Sequence, residues 1–206
     1  MQRNIILSSF GATDQGRHII NEEVFEVRYQ AYQNNNSIDK NDEEKFVDEY
    51  DSAPNCVSHL EYYKGLPAGS IRACVYDPSY AVNTVPAMDI FSPEIEREIG
   101  WNSVFVESNK FVIHPQFQNR GYRTKLSLFK FIFGLAQKAK ADYIITCVRE
   151  EHAEFYERLL FSRISDSKRY PHLKFDTVLL ACSLRDAGLR AGKISNSCML
   201  KRFGIV

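Results

Sequence analysis

The sequence lacks most of the marks by which a function shows itself. Its 206 residues contain no Cys-x-x-Cys pair, and the five cysteines, Cys56, Cys74, Cys147, Cys182 and Cys198, are odd in number and widely spaced. That spacing argues against a zinc site and against a disulfide framework, and leaves buried free thiols in strands as the reading. No apolar run approaches the roughly 20 residues that a transmembrane helix needs. The opening segment MQRNIILSSFGATD lacks the apolar length of a signal peptide. A reducing, cytoplasmic setting without stable membrane insertion is the expectation. Net charge is missing too: 26 basic residues balance 26 acidic ones, so bulk electrostatics give no footprint for nucleic acid. There is no internal repeat and no interdomain linker. What remains is an ordinary composition, 44% hydrophobic and 25% charged, with length enough for a sizeable core. One domain is expected over residues 1–186. Residues 187–206, with Arg190, Lys193, Lys201 and Arg202, read as a basic surface tail.

The most informative stretch is Val104–Lys125, VFVESNKFVIHPQFQNRGYRTK. Val104, Val106, Phe111, Val112 and Ile113 predict a strand buried on at least part of both faces. Pro115 cannot donate to a ladder, so the strand should end near His114. Gln118-Asn-Arg-Gly121 reads as a tight polar turn, and from Tyr122 a helical period takes over, with Leu128, Phe131, Ile132 and Leu135 on one face. A strand, a glycine turn and a helix in succession place free backbone N–H groups at a helix N-terminus, which suits a phosphate.

Around it the chain alternates. A short strand is expected at Ile5–Ser9. Thr13 or Asp14 would cap a helix that begins near Gly16 and carries Ile19, Ile20, Val24, Val27 and Tyr32 as its stripe, with Phe25 also able to point inward. Residues 33–45 are polar and turn-rich, a loop that could cover a site. Residues 56–63 and 70–76, joined by Lys64-Gly-Leu-Pro-Ala-Gly69, predict a hairpin. Ser92 before Pro93 predicts a capped short helix. Asp142–Val148 reads as a central strand, Glu151–Leu160 as a helix with Phe155 and Leu159 inward, and Phe175–Leu184 as a last strand. This order gives an α/β (α+β) fold, a mixed sheet with helices on its faces.

The strand, His-Pro, Gln-x-x-Gly and helix resemble the donor-binding motif of the GNAT acyltransferase superfamily, with Arg123 where that motif carries Gly or Ala. A second signature, Phe155-Tyr156 followed by Phe161, resembles that superfamily's Phe-Tyr and Gly-Phe run, without the Gly. The succession Arg28, Asp48, Asp51, Arg72 and Glu107 is similar to that of acyl-homoserine lactone synthases and, more closely, of long-chain N-acyl amino acid synthases. The run from His152, the later Arg169-Tyr170-Pro171 and the strand TVLLACSL add to the second likeness. Lactone synthases usually carry Arg where this chain has Lys110, and a Trp that has no counterpart in the 33–45 loop. The resemblance covers about residues 15–186 and implies the GNAT acyl-CoA N-acyltransferase-like fold, with a splayed parallel pair of strands around 104–114 and 143–148.

The resemblance further implies a fatty acyl transfer from a phosphopantetheine thioester, on acyl carrier protein or CoA, to a small amine such as an amino acid. No cofactor and no metal beyond that co-substrate are expected. Glu107 would be the base, or else a strand carboxylate paired with Lys110 or Arg72. Tyr156 would protonate the leaving thiolate, or else be a core tyrosine. Phe111, Val112 and Ile113 would offer backbone N–H groups to the thioester carbonyl, and Gln118, Arg120, Gly121, Tyr122 and Arg123 would hold the donor's phosphate. Arg120, Arg123 and Lys125 would alternatively be a solvated face. Arg28, Asp48, Asp51 and Arg72 would contact the acceptor or form structural ion pairs, and Asp51 could cap a turn with Ser52. Arg123 and the positive charge around it, including Lys130, favour an acidic carrier protein as donor. Competing expectations are lactone synthesis from S-adenosylmethionine and a non-catalytic module that binds the acyl carrier or thioester.

Overall fold

A computed structural model describes residues 22–118, 122–170 and 172–186. The expected strand at 5–9, the cap at Thr13 or Asp14, Asn119, Arg120, Gly121, Pro171 and the tail at 187–206 lie outside the described residues. Helix α1 is Glu23–Asn34. Strands β1, Cys56–Tyr63, and β2, Leu66–Tyr76, form an antiparallel hairpin. Helix α2 is Met88–Glu98, β3 is Phe105–Ile113, and α3 is Tyr122–Lys138. Strand β4 is Tyr143–Arg149, and α4 is the short Ala153–Glu157. Two-residue strands β5, Ser162–Arg163, and β6, Lys168–Arg169, both pair with β7, Asp176–Ser183. The order across the sheet is β1-β2-β3-β4-β7-β5.

The hairpin turns on two residues, Lys64 and Gly65, both at positive φ (53° and 79°), the conformation that follows the strands' right-handed twist. The predicted six-residue turn is thus shorter in fact, and Leu66–Gly69 belong to β2. Pro67 is tolerated there because β2 meets β3 only from Gly69 onward.

All pairs are antiparallel except β3 with β4. That parallel pairing runs only from Phe105–Tyr143 to Ser108–Thr146; beyond it the strands part, as the splayed pair expected from the sequence. On one face α3 buries Leu128, Phe131, Ile132 and Leu135 against Ile71, Ala73, Val106 and Ile144. On the other, Phe91 and Ile95 of α2 cover Cys74, Phe105 and Ile145, and Val27 and Ala31 of α1 cover Val112. Alternation along each strand sends neighbouring side chains to opposite faces, so a sheet with both faces covered reads as nearly continuous apolar runs.

Two helices depart from their sequence pattern. Ser92 does not cap: its hydroxyl donates to the Met88 carbonyl at 2.6 Å, and the helix starts four residues earlier with a break at Phe91 (φ −115°, ψ 17°). Pro93 removes the N–H that would bond back to Asp89, which accounts for the kink. The expected helix at 151–160 is instead a 3-10 turn, Glu150–His152, followed by α4. Phe155, expected inward, is 44% exposed, and Leu160 ends the segment at φ 70°. Among the described residues no helix is long and apolar enough to cross a membrane.

Candidate active site

The site is built where the parallel pairing stops. Glu107 and Asn109 are two apart on β3, so both point to the face that α1 and α2 cover. Glu107 is fully buried. Its carboxylate accepts from the Ala87 backbone N–H at 2.7 Å and from the Asn109 amide at 3.0 Å. Burial raises its pKa to about 7, against the opposing pull of those two donors and of Arg72. A carboxylate poised there exchanges a proton near neutrality, which is what a general base requires.

Beside it lies a buried set of charges. Arg72, opposite Asn109 in the register, donates from Nε to the Asn109 side-chain Oδ1 at 2.8 Å and pairs with Asp48 and, at 3.0 Å, with Asp51. Arg28, on α1, donates to Asp51 at 2.7 Å and to the Ser58 hydroxyl at 2.6 Å. Lys110 reaches Asp48 at 2.9 Å and lies 3.5 Å from the centre of the Phe46 ring. Arg28, Asp48, Asp51 and Arg72 are therefore brought together as ion pairs. Asp51 does cap, but within Glu49–Asp51: its carboxylate accepts from the Asp48 N–H while Asp48 accepts from Tyr50. Burial works against the Asp48 charge, yet Arg72 and Lys110 hold its carboxyl well below the usual range. Burial lowers Lys110 to about 8.

Lys110 also shapes the backbone. Arg72 pairs with Asn109 and Ser70 with Val112, so Lys110 and Phe111 together face Ile71: a bulge, with Lys110 at φ 48°. The bulge re-aims the strand just past Glu107. Phe111 turns to α3 and packs on Phe129 at 5.0 Å, while Val112 meets α1. The sequence offers Lys110 as a substitute for Arg and as a partner for Glu107; it pairs with Asp48 instead, and Asn109 is not among the residues that the sequence singles out. Period two counted from Glu107 would have found Asn109. Ala87 carries no such signal, because its contribution is a backbone N–H.

Tyr156 is buried, its ring set edge-on to Phe155 and Phe161, and burial raises its pKa. Tyr32, on α1, lies within electrostatic range of Tyr156 and also of Arg28, Arg72 and Asp48. Its ring lies tilted against that of Phe46, with 4.7 Å between the ring centres. The loop at 33–45 is tied down rather than loose: Ser37 accepts from Lys174 N–H at 2.9 Å and from the Arg149 guanidinium at the end of β4. It thus crosses from α1 to the far side of the opening between β3 and β4. Of the donor residues, Gln118 closes the 3-10 turn Pro115–Phe117, and Tyr122 and Arg123 are exposed at the start of α3. Arg120 and Gly121 fall outside the described residues. Among the described residues no group of three or more His, Cys, Asp or Glu is arranged to hold a metal.

No curated protein matches the chain by sequence. The structure of FeeM, an N-acyl amino acid synthase from uncultured soil microbes, superposes with a TM-score of 0.64 at 17% identity, over 82% of this chain and 86% of that one. TofI, solved in a ternary complex with an inhibitor and MTA, gives 0.60 at 14% identity over 80% and 84%. The acyl-homoserine lactone synthase LasI gives 0.58 at 16% identity over 82% and 86%. These likenesses place the fold among GNAT-like acyltransferases. The family profile "N-acyl amino acid synthase FeeM" matches residues 23–183, from the first residue of α1 to the last of β7. The chain belongs to the FeeM family of N-acyl amino acid synthases, enzymes of acyl transfer to an amine.

Proposed function

We propose that the enzyme moves a fatty acyl group from the phosphopantetheine thioester of an acyl carrier protein or CoA to the amine of an amino acid, with no further cofactor. Glu107 removes a proton from the acceptor ammonium, and the freed amine attacks the thioester carbonyl. Backbone N–H groups of Phe111–Ile113, on the part of β3 that leaves β4, hold the oxyanion of the tetrahedral intermediate. Collapse breaks the C–S bond; Tyr156 gives its proton to the leaving thiolate, and the second proton of the attacking nitrogen restores the Tyr156 phenol. The observation that carries the reading is Glu107: fully buried, titrating near 7, and placed at the last paired stretch before the strands open.

The acceptor meets the buried charges from the side of Asp48, whose carboxylate is the more exposed of the two in the cluster. Arg123 and Lys130 are exposed on α3 and offer an acidic carrier protein a complementary face. The test is incubation with labelled acyl thioesters, on carrier protein and on CoA, together with an amino-acid mixture or S-adenosylmethionine. Mass spectrometry should find an N-acyl amino acid, formed faster from the carrier protein at low salt than at high. An acyl lactone with S-adenosylmethionine and no acylated amino acid would replace this reading with lactone synthesis.

A further inference from the structure

The Pro86 carbonyl and the Ala87 N–H belong to one peptide group, and each end of it is hydrogen-bonded. The Tyr170 hydroxyl donates to the Pro86 oxygen at 3.1 Å. The Ala87 N–H donates to Glu107 Oε2 at 2.7 Å. We propose that Tyr170 is a positioning residue for Glu107, acting through the Pro86–Ala87 peptide. The peptide is conjugated, so a donor on its oxygen withdraws electrons from its nitrogen and makes the N–H a stronger donor. Linked hydrogen bonds polarise one another in this way wherever water is kept out. Ala87 and Glu107 are both fully buried.

Tyr170 is suited to the role. Burial and the nearby Glu107 charge keep its hydroxyl protonated, so it stays a donor throughout the working pH range. The segment that carries it also grips α2 elsewhere: Lys168 donates to the Ile90 carbonyl at 3.2 Å and pairs with Glu94. The start of α2 therefore cannot drift from Glu107 while that segment is in place. Tyr170, part of a run that the sequence shows only as a likeness, gains a physical purpose. Other groups bear on the Glu107 charge: Arg72 on β2, Asp89 on α2, Cys56 on β1, Cys147 on β4 and Tyr50 in the turn before β1. Tyr170→Phe leaves every one of them unchanged.

The inference concerns the Glu107 carboxyl itself; only its effect on rate rests on Glu107 being the base. The experiment is a 13C NMR titration of the full chain labelled at glutamate side-chain carboxyls, with the Glu107 signal assigned by Glu107→Gln. Tyr170→Phe is expected to raise the Glu107 midpoint by about half a pH unit, as a weakened N–H donor favours the protonated acid. A 3-fluorotyrosine at position 170, of nearly the same shape and a stronger donor, is expected to lower it. The acid limb of kcat/KM should follow both shifts. An unmoved midpoint in Tyr170→Phe, or a fluorotyrosine shift in the same direction as the phenylalanine one, would overturn the inference. Should Tyr170→Phe fail to fold, the sign of the fluorotyrosine shift decides it. If the carboxyl midpoint moves while the rate profile stays, the relay stands and the assignment of Glu107 as base falls.

Discussion

A buried carboxylate that titrates near 7 affects both rate and stability. As a base Glu107 works deprotonated, so kcat/KM should rise with pH through about 7. Glu107→Gln should lose on the order of 100-fold or more in kcat/KM. A variant as fast as the parent at every pH would make Glu107 a structural residue. The stability effect has a definite sign. The pKa is raised from 4.5 in the unfolded chain to about 7 in the folded one, so between those values the folded state holds a proton that the unfolded state has lost. Burying Glu107 therefore costs nothing below that window and progressively more as pH rises through it, reaching about 3 kcal/mol. Glu107→Gln should gain on the parent in urea unfolding between pH 5 and pH 8; a constant gap between the two would contradict the buried charge. Tyr156→Phe removes one hydroxyl from a ring packed on Phe161 and should lower kcat while leaving KM nearly unchanged. If KM rises and kcat holds in steady-state assays, Tyr156 is a binding residue instead.

At the level of elements, much was legible in the sequence and the misses have physical causes. The strand ending before His114 and the helix from Tyr122 follow from Pro115 and a strong 3.6 period. The charge cluster is legible as a succession and as possible ion pairs, but not which charge meets which. That Arg28 and Arg72 share Asp51 depends on register between elements, which periodicity does not encode. The segment after Tyr156 was misread for a clearer reason. A Gly-Phe pattern supplies a residue free to take positive φ, and here Leu160 must take it, at φ 70°. Leu160→Gly should stabilise the fold by about 1 kcal/mol, read as a higher midpoint in thermal or urea unfolding; a lower midpoint would show that the Leu160 side chain matters more than its backbone. Gly69 is the opposite case. A Cβ there would sit 2.6 Å from the Val112 carbonyl oxygen and 3.0 Å from Thr124 on α3. Gly69→Ala should cost about 1–3 kcal/mol. It should also raise KM for the acyl donor, because β3 must yield where the thioester would lie. An alanine variant of unchanged stability would mean that the strand gives way freely.

The whole molecule is two sheet halves, β1-β2-β3 and β4-β7 with its short partners, joined by a parallel ladder from Phe105–Tyr143 to Ser108–Thr146. A donor lying in the opening past that ladder would complete it with its own amides. Hydrogen exchange at Asn109–Ile113 should slow when a non-hydrolysable acyl-pantetheine thioether is added, with little change at Phe105–Ser108; uniform slowing, or none, would argue against binding in the opening. The same short ladder has a consequence for how the chain reaches its native state. The β1–β2 hairpin closes over two residues, whereas Thr146 and the Ser108 carbonyl it bonds are 38 residues apart. Loop-closure entropy favours the near contact first. In refolding from denaturant, strand and helix signals should thus return ahead of acyl transfer, because Glu107 lies in the joint that is made late.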